Sequence, residues 1–380
     1  MKPFRILHLI YSTGVYGAEK HLLELLPALK NHNIVPELIF ICSRQTVPHL
    51  EQYSEKLKTR GIPVQLLPVS SKISLMFAIK RVAKYLRNNN IPCVHSHLFS
   101  ADLIAVLAKK FFFRQLTVFS TKHGYEEEYL VQYGMGNGRI RYNFYYRASK
   151  YILRYTDASA AVSKPLSEMY VRLGLTRKPM HVIQHGVNIQ PTTNKGVILT
   201  GNPRILVVGR LSVIKGHTFL LQALPGIIEK FPELRVYFLG NGPLKVKLKA
   251  EADQLNLASH ISFEGFADPA DYARQCDLMV LPSLFESFGL VFIESFSWKI
   301  PVIAFDAEAG NQIIENGKTG VLVPKSDVKE LRKEIIELLS NQEARQQLSA
   351  RAYEKYKSYF TVERMADDTA AWYREVAGQE

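Results

Sequence analysis

Short apolar runs alternate with helix-length amphipathic segments along both halves of the chain. In the first half, the apolar run 4–10 precedes a glycine-containing loop and a helical pattern over 18–29, and in the second half the run 204–208 precedes a similar loop and a helix from about 218. Strands that alternate with helices form parallel sheets covered on both faces. The sequence therefore predicts an α/β protein whose ligands bind beyond the carboxyl ends of its strands.

The same alternation continues to the end of the chain and predicts two domains. Further strands are predicted at 36–42, 64–69, 94–97, 116–121, 158–162, 180–184, 235–239, 260–263, 277–282, 301–305 and 320–323. Helices are predicted at 245–255, 328–339, 343–359 and 362–376, with Asp268 capping a short helix. The polar, turn-forming stretch 190–196 predicts a linker. The chain of 380 residues would then comprise domains 1–190 and 191–360 and a terminal helix within 361–380.

The positive charge is confined to the first half. Residues 1–190 contain 26 Lys and Arg against 11 Asp and Glu, whereas residues 191–380 contain 22 against 24, so the first half carries the whole net charge of +13. This asymmetry predicts an anionic partner. No nucleic-acid-binding motif is present, and an anionic membrane surface or a lipid-phosphate acceptor fits better.

The cysteines and the apolar segments indicate a compartment. The three cysteines match no zinc or redox spacing and build no disulfide framework, which is typical of a reducing environment. The apolar run near the N-terminus is too short for a signal peptide, and no stretch approaches 18 apolar residues. We expect a cytoplasmic protein, in the free state or bound peripherally to the inner face of the plasma membrane.

Two carboxylates flank a predicted loop and helix start. Glu286 and Glu294 are separated by seven residues, and a small turn containing Gly289 lies between them. A helix N-terminus presents unpaired N–H groups and a partial positive charge that suit phosphate, while carboxylates accept hydrogen bonds from hydroxyls. A sugar joined to a nucleoside diphosphate offers both groups. The alternative is a pair of solvated helix carboxylates.

Two cations occupy the loop after the first strand of the second half. Arg210 and Lys215 lie five residues apart between Gly209 and Gly216. On such a loop a planar guanidinium and a point-charge ammonium can converge on a diphosphate. The alternative is two solvated surface cations.

The segments Val-Gly-Arg-Leu-Ser-Val-Ile-Lys-Gly and Glu286-x7-Glu294 resemble signatures of the retaining glycosyltransferases of family 4. The resemblance covers nearly the whole chain and is strongest in the second half. It implies the GT-B fold, in which two Rossmann-like domains face a deep interdomain cleft and a C-terminal helix crosses back to the first domain. The implied reaction moves a sugar from a nucleotide-diphosphate sugar, UDP favoured over GDP, to a glycan or lipid-linked acceptor. Cell-surface polysaccharide, lipopolysaccharide or glycolipid assembly is the implied setting.

The resemblance also implies roles for individual residues. Arg210 and Lys215 would hold the donor diphosphate, Glu286 would bind sugar hydroxyls and Glu294 the ribose. The remaining implied donor contacts lie in the same loops and at the end of a preceding strand: Gly209, Phe266, Ser287, Phe288, Gly289 and Leu290. For Phe266, which would lie against the base, an ordinary strand end is the alternative.

In the first half, the implied site residues are Gly14, Gly17 and His123. The two glycines lie in the first strand–helix loop and allow close backbone approach to the donor, although Tyr16 replaces a glycine usual in the family. The alternative is a plain strand–helix turn. His123 follows a predicted strand and can bind a sugar hydroxyl or move a proton; a structural histidine is the alternative.

At the end of the first domain, His185-Gly-Val-Asn188 stands where the family usually has Asn-Gly-Val-Asp. We expect this stretch to shape the floor of the cleft rather than to act in catalysis.

No metal or cofactor is expected. No Asp-x-Asp motif is present, and in this fold cations replace a divalent ion. His95 and His97 share one face of a predicted strand, but no third ligand at a convincing spacing is visible, so core or cleft histidines are favoured over a metal pair. In the family, retention is thought to proceed by front-face attack, in which the departing phosphate accepts the acceptor proton.

Residues 139–155 combine five cations with six aromatic residues, and 109–114 are similar. Such a segment can be an interfacial amphipathic helix. The equally weighted alternative is a core helix with Phe144, Tyr151 and Tyr155 inside.

Other functions on the same fold are a nucleotide-sugar epimerase, a phosphorylase, for which no lysine context demands pyridoxal phosphate, and a non-catalytic sugar-nucleotide-binding protein. The cations and carboxylates of the second half argue against the loss of donor chemistry.

Overall fold

The structure is a computed structural model that describes residues 3–12, 14, 17–69, 72–124, 144–189, 196–307 and 309–378. The chain forms two compact units. The first unit comprises Met1–Gly186 and Val362–Glu380, and the second comprises Val187–Thr361. Apart from Gly196, the predicted linker 190–196 lies outside the described residues.

A parallel sheet forms the centre of the first unit. Its strands, in chain order, are β1 (Phe4–Ser12), β2 (Ile34–Cys42), β3 (Val64–Pro68), β4 (Cys93–His97), β5 (Thr117–Lys122), β6 (Ala158–Ala161) and β7 (His181–Val182). Among the described residues they pair in the spatial order β3-β2-β1-β4-β5-β6-β7. β1 is aligned with both neighbours, so that His8 lies beside His95 and Ile10 beside His97.

Helices cover both faces of this sheet. They are α1 (Gly17–Leu29), α2 (Val47–Lys58), α3 (Lys72–Asn88), α4 (Phe99–Phe111), α5 (Phe144–Tyr155), α6 (Lys164–Arg172) and, from the end of the chain, the helix Val362–Ala377. Side chains of β1 alternate between the two faces: Ile6 and Ile10 pack in one apolar cluster, and Leu7 and Leu9 in the other. Burial of each such side chain contributes about 1.5–3 kcal/mol.

The last helix belongs to the first unit. Val362–Ala377 packs against α1, and its residues Met365 and Tyr373 join the apolar cluster on that face of the sheet. The backbone N–H of Gly186 contacts Sδ of Met365.

The second unit is built around another parallel sheet. Its strands are β8 (Arg204–Val208), β9 (Arg235–Leu239), β10 (Ile261–Gly265), β11 (Leu278–Leu281), β12 (Val302–Phe305) and β13 (Val321–Val323). Among the described residues their spatial order is β10-β9-β8-β11-β12-β13. From β8 the chain adds strands first toward one edge of the sheet and then, from β11, toward the other. The winding of the sheet therefore reverses between β8 and β11, which is where open α/β sheets bind ligands.

The helices of the second unit follow its strands. They are α7 (His217–Ile228), α8 (Lys245–Gln254), α9 (Pro269–Ala273), α10 (Leu290–Ser297), α11 (Gly310–Ile313), α12 (Val328–Ser340) and α13 (Gln342–Tyr359); the terminal helix Val362–Ala377 is α14. As predicted, Asp268 caps a short helix, because its carboxylate accepts a hydrogen bond from the N–H of Ala270.

The prediction of an α/β protein with parallel sheets is confirmed, and the predicted strands and helices differ from the observed ones by a few residues at their ends. Among the described helices, none combines the length and apolar composition that a bilayer-spanning segment requires.

The basic aromatic segment 139–155 is a helix from Phe144 onward, and residues 139–143 lie outside the described part of the chain. Its buried positions are Tyr146, Ser149 and Ile152, which recur every three residues. Tyr155 is 40% exposed, so the core interpretation that placed it inside is wrong for this residue. Tyr155 continues the three-residue spacing, but it is the last residue of the helix, where the chain leaves the packed face.

Candidate functional site

In the second unit, two loops meet at the point where the winding of the sheet reverses. Lys215, in the loop after β8, donates a hydrogen bond from Nζ to Oε1 of Glu286, in the loop after β11, at 2.6 Å. The two side chains are 21% and 13% exposed. The structure thus joins two of the predicted catalytic residues in an ion pair that solvent reaches from one side.

Close backbone contact holds these loops together. The N–H of Leu284 donates to the carbonyl of Ile214 at 2.7 Å. Gly216 has φ of 62°, and a Cβ on it would lie 2.0 Å from the carbonyl oxygen of Pro282. Glycine is therefore required next to Lys215, because any other residue would separate the loops.

The other predicted residues of the β8 loop flank Lys215. Gly209 directly follows the strand, and a Cβ on it would lie 3.8 Å from Cδ of Lys215. Arg210 is exposed, and its carbonyl is bonded at 3.2 Å to Nε2 of His217. Burial lowers the pKa of His217 to about 4, so this ring is neutral and donates Nε2–H to Arg210. The backbone of Arg210 is fixed while its guanidinium stays in solvent.

The loop after β11 leads directly into α10. Gly289 precedes the helix with φ of 98°, and a Cβ on it would lie 2.4 Å from the ring of Phe292. Leu290 begins the helix, so the backbone N–H groups of its first turn lie close in sequence to Ser287 and Glu286. Of these groups, the N–H of Phe292 donates to the carbonyl of Gly289 at 2.9 Å. Glu294, one turn further along, is half-buried.

Phe288 has a structural side chain. It is buried, and its ring lies 6.3 Å from that of Phe360. The side chain of Phe288 therefore packs in the interior of the second unit, and its predicted contact with a donor stays a prediction for its backbone.

Phe266 is 81% exposed just after β10. Its neighbour Glu264 accepts a hydrogen bond from the hydroxyl of Tyr272 at 3.0 Å. An aromatic face in solvent at a strand end is suited to stacking on a nucleotide base.

In the first unit, the predicted glycines lie where β1 leads into α1. The N–H of Gly14 is bonded to Oγ of Ser12 at 3.2 Å, and Gly17 begins the helix. Residues 13, 15 and 16 lie outside the described residues, and with them the replacement of glycine by Tyr16.

His123 lies directly after β5 and belongs to a cluster of six histidines. The cluster comprises His8, His21, His95, His97, His123 and His185. Three nitrogen-to-nitrogen hydrogen bonds join five of these rings: Nδ1 of His8 to Nε2 of His97 at 3.0 Å, Nδ1 of His97 to Nε2 of His123 at 2.8 Å, and Nδ1 of His185 to Nδ1 of His21 at 2.8 Å.

These histidines are uncharged at neutral pH. Removal from water lowers the pKa of His8 and of His21 to about 3. It also places the pKa of His95, His97, His123 and His185 well below the usual value, and the neighbouring rings add to the shift. His123 is the half-buried member, and among the described residues its Nδ1 has no hydrogen-bond partner although the atom is buried.

His95 and His97 lie where the sequence predicted, on one face of a strand. Both are fully buried, with ring centroids 4.2 Å apart. His95 is bonded through Nδ1 to the hydroxyl of Tyr373 and through Nε2 to Oγ1 of Thr121 at 2.8 Å. That His8, His21 and His185 lie beside them was not predicted, because these residues come from β1, α1 and the segment after β7.

A further buried polar group, around Asp102, was not predicted from the sequence. Asp102 on α4 forms an ion pair with Lys122 at the end of β5, and its Oδ1 accepts hydrogen bonds from Ser96 at 2.6 Å and Ser120 at 2.7 Å. The serines and the lysine of this network lie on alternate residues of neighbouring strands, a signal that a search for polar residues on one strand face would have found.

Within the described residues, two overlapping groups of three histidines bring one nitrogen of each ring within 4.8 Å of the others. They are His8, His95 and His97, and His21, His97 and His123.

The second unit offers the ion pair of Lys215 and Glu286 and the start of a helix, an arrangement that can bind a phosphate and a hydroxyl side by side.

Two family models together match most of the chain. The model described as Glycosyltransferase Family 4 matches residues 15–191, and that described as Glycosyl transferases group 1 matches residues 189–355.

Known proteins are similar over different lengths. A phosphatidyl-myo-inositol mannosyltransferase of Mycobacterium leprae is 33% identical over 186 residues, 47% of this chain and 49% of that protein, so the chain spans about half the length of this relative. An uncharacterized glycosyltransferase of Methanocaldococcus jannaschii is 29% identical over 322 residues, 82% of this chain and 79% of that protein.

The chain is also similar in structure to HepE from Anabaena, as seen in its crystal structure in complex with UDP and glucose. The match covers 98% of this chain and 100% of HepE, with a TM-score of 0.80 and 18% identity. This likeness establishes the fold.

Proposed function

The chain belongs to glycosyltransferase family 4, and from this membership we propose that it transfers a sugar from a nucleotide-diphosphate sugar to a glycan or lipid-linked acceptor. The pathway class is the assembly of a cell-surface polysaccharide or glycolipid. The observation that carries the proposal is the ion pair of Lys215 and Glu286 where the winding of the sheet reverses.

The pair can separate onto two parts of one donor. The ammonium and the carboxylate neutralise each other at 2.6 Å. A bound donor offers a diphosphate to Lys215 and sugar hydroxyls to Glu286, so each charge exchanges one partner for another. Binding therefore leaves neither side chain without a hydrogen-bond partner.

The reaction breaks the bond between the anomeric carbon and the diphosphate oxygen and forms a bond from that carbon to the acceptor oxygen. We assign retention of configuration, with the acceptor proton passing to the departing phosphate. Lys215 and Arg210 stabilise the charge that develops on the leaving diphosphate, with the N–H groups at the start of α10. These cations take the place of a divalent ion.

The remaining donor contacts follow the same assignment. Glu294 accepts from the ribose hydroxyls, Phe266 lies against the base, and Gly209, Gly289 and the backbone of Ser287, Phe288 and Leu290 approach sugar and phosphate oxygens. In the first unit, Gly14 and Gly17 approach the donor and His123 binds a sugar hydroxyl. We favour a uridine nucleotide, in line with the UDP bound in HepE.

Thermal stability tests the donor site. A panel of nucleoside diphosphates and their sugars is added to the wild type, to Lys215→Ala, to Glu286→Ala and to Lys329→Ala, an exposed lysine on α12 that serves as the matched control. A ligand at one hundred times its dissociation constant stabilises the folded state by about 2.7 kcal/mol.

We expect one diphosphate, that of uridine, to raise the melting temperature of the wild type and the control but not of Lys215→Ala. One sugar nucleotide should add a further rise that Glu286→Ala loses. If no nucleoside diphosphate at millimolar concentration raises the melting temperature of the folded wild type, the proposal fails.

The stereochemistry and the metal independence have their own test. With the donor identified, the anomeric proton coupling of the product is measured by NMR in the presence of EDTA. We expect the configuration of the donor to be kept and the rate to be unaffected by the chelator. An inverted product, or activity that EDTA abolishes and Mg²⁺ restores, contradicts the respective assignment.

A basic aromatic surface supports peripheral contact with an anionic membrane. Phe111, at the end of α4, is 64% exposed, and Nζ of Lys110 lies 5.1–5.8 Å from the ring centroids of Phe111, Tyr151 and Tyr155. On the neighbouring helix α3, Phe77 is also exposed. Exposed aromatic side chains beside cations are the pattern of an interfacial surface.

Vesicle flotation measures this contact. We expect the protein to float with vesicles that contain phosphatidylglycerol at low salt, to be released at high salt, and to ignore pure phosphatidylcholine. The double variant Lys110→Glu and Phe111→Ser should bind weakly, and Lys329→Glu, in the second unit, should bind like the wild type. No binding to anionic vesicles at low salt contradicts the contact.

A further inference from the structure

We propose that the first unit carries a transition-metal site formed by His21, His97 and His123, suited to Zn²⁺ or a similar divalent ion. The three rings come from α1, from the end of β4 and from the residue after β5. One nitrogen of each lies within 4.8 Å of the other two. Neutral imidazoles are the ligands that such ions prefer.

The spacing of the rings fits a tetrahedral ion. A Zn–N bond of about 2.0–2.1 Å places ring centres roughly 5 Å apart around one ion. The observed centroid distances are 5.0 Å between His21 and His123, 5.1 Å between His97 and His123, and 6.0 Å between His21 and His97. Two of the three distances match this value, and the third exceeds it by about 1 Å.

The overlapping group of His8, His95 and His97 is less suitable. His95 and His97 stand side by side on one strand at 4.2 Å. Both nitrogens of His95 are already bonded, to Tyr373 and Thr121. An ion there would displace one of these hydrogen bonds to residues outside the cluster. At the proposed site an ion would displace at most the hydrogen bond between His97 and His123, two of its own ligands.

His123 supplies an independent indication. Its Nδ1 is buried and has no hydrogen-bond partner among the described residues, which is an unfavourable state for a polar atom. Either nitrogen of this ring can bind a cation: Nδ1 without the loss of a hydrogen bond, and Nε2 in exchange for its bond to Nδ1 of His97 at 2.8 Å. The ring is the half-buried member of the cluster, so water can take a fourth position on the ion.

The other histidines are placed as outer partners. A ring that binds a metal through one nitrogen donates its other N–H to a neighbour. Nδ1 of His8 lies 3.0 Å from Nε2 of His97, and Nδ1 of His185 lies 2.8 Å from Nδ1 of His21. The nearby ammonium of Lys122 is paired with Asp102, which reduces its repulsion of an ion.

Metal binding at this site stands apart from the transferase reaction, which we propose to need no metal. One consequence does rest on the proposed function: an ion on His123 would withdraw that ring from the sugar, so that Zn²⁺ would inhibit transfer. The binding itself is measured without any donor or acceptor, so its failure and that of the transferase proposal are distinguishable.

Cobalt spectroscopy tests the site. Full-length protein without a histidine tag is stripped with a chelator, dialysed and titrated with Co²⁺, which replaces Zn²⁺ in tetrahedral sites and absorbs visible light there. We expect the d–d bands of four-coordinate cobalt to saturate at one equivalent per chain and to be abolished by Zn²⁺. Absence of these bands in the folded wild type overturns the proposal.

Variants then assign the ligands. His123→Gln, at the half-buried ring, and His21→Gln should abolish the bands, and His8→Gln should weaken Co²⁺ binding about 10- to 100-fold as loss of an outer partner. His95→Gln, a buried ring outside the proposed site, and the exposed His49→Gln should keep them. The proposal is overturned if the bands survive in His123→Gln. It is also overturned if the bands are lost in His95→Gln but present in His21→Gln.

Discussion

Near the ends of their parallel strands, the two units hold polar side chains that differ in charge and in access to solvent. The first unit holds six uncharged imidazoles, five buried and one half-buried. Five of them are hydrogen-bonded to another ring of the cluster, and the sixth, His95, to Tyr373 and Thr121. The second unit holds a charged pair, Lys215 and Glu286, in loops that solvent reaches. One cluster is largely satisfied from within, and the other can change partners.

This difference explains which region is suited to bind a charged donor. Charges that remain partly solvated can be transferred to a ligand at little cost, whereas ionising a buried imidazole requires removing a charge from water. We therefore expect the first unit to respond to protons and metals and the second to respond to phosphate.

Each unit contains one of the two tryptophans, which allows the comparison to be measured. Trp372 lies in the first unit and Trp298 in the second. In a Trp298→Phe background, fluorescence during urea unfolding follows the first unit, and in a Trp372→Phe background it follows the second.

Acidification should produce the largest effect, and in the first unit. His8 and His21 have a pKa of about 3 when folded and about 6.5 when unfolded, so between these values only the unfolded chain binds the protons. The free energy of unfolding should therefore fall from pH 7.5 to 5.5, by about 1.4 kcal/mol for each of the two. The other four histidines act in the same direction.

His21→Gln is the control for this prediction, because it removes one histidine and should reduce the pH dependence. The second unit, in which the pKa of His217 is lowered to about 4, should lose about 1.4 kcal/mol over the same interval from that histidine. Equal pH dependence of the two units would refute the contrast.

Asp102→Asn should destabilise the first unit by about 3–5 kcal/mol, because it leaves the ammonium of Lys122 buried without a counter-charge. The hydrogen bonds of Ser96 and Ser120 can persist, so the charge alone is tested. Urea unfolding followed by Trp372 measures the loss, and a change below about 1 kcal/mol would show that Lys122 reaches solvent.

Gly216→Ala should destabilise the second unit by about 1–3 kcal/mol more than Gly317→Ala. Both glycines have a left-handed backbone, with φ of 62° and 73°, but a Cβ meets the Pro282 carbonyl only at Gly216 and has open space at Gly317. The difference thus isolates the close approach of the two loops. Equal losses, followed by Trp298, would mean that the loops can separate freely.

Glu286→Gln should have the smallest effect on stability, about 1 kcal/mol or less, because Lys215 can turn to solvent. The same variant should lose the stabilisation that a sugar nucleotide adds beyond its diphosphate. A stability loss as large as that of Asp102→Asn would assign the pair a structural role.

The alternation of elements was readable from the sequence because strand and helix patterns are local. The strands of the second unit, the cap at Asp268 and the neighbourhood of Lys215 and Glu286 all follow from short segments and from the rule that ligands bind at strand ends. The histidine cluster was not readable, since β1, α1, β4 and the segment after β7 converge only once the strand order is known. The exposure of Tyr155 likewise depends on where the helix leaves the sheet.

One rate measurement decides whether the loops after β8 and β11 form the donor site. It follows the release of the nucleoside diphosphate from the matched sugar nucleotide, as an initial rate with a membrane glycolipid extract as acceptor. We expect Lys215→Ala to lower this rate about 100- to 1000-fold, as for the loss of one group that stabilises transition-state charge, and Lys329→Ala to keep it. A folded Lys215→Ala variant that turns over at the wild-type rate would contradict the assignment of the donor site to the loops after β8 and β11.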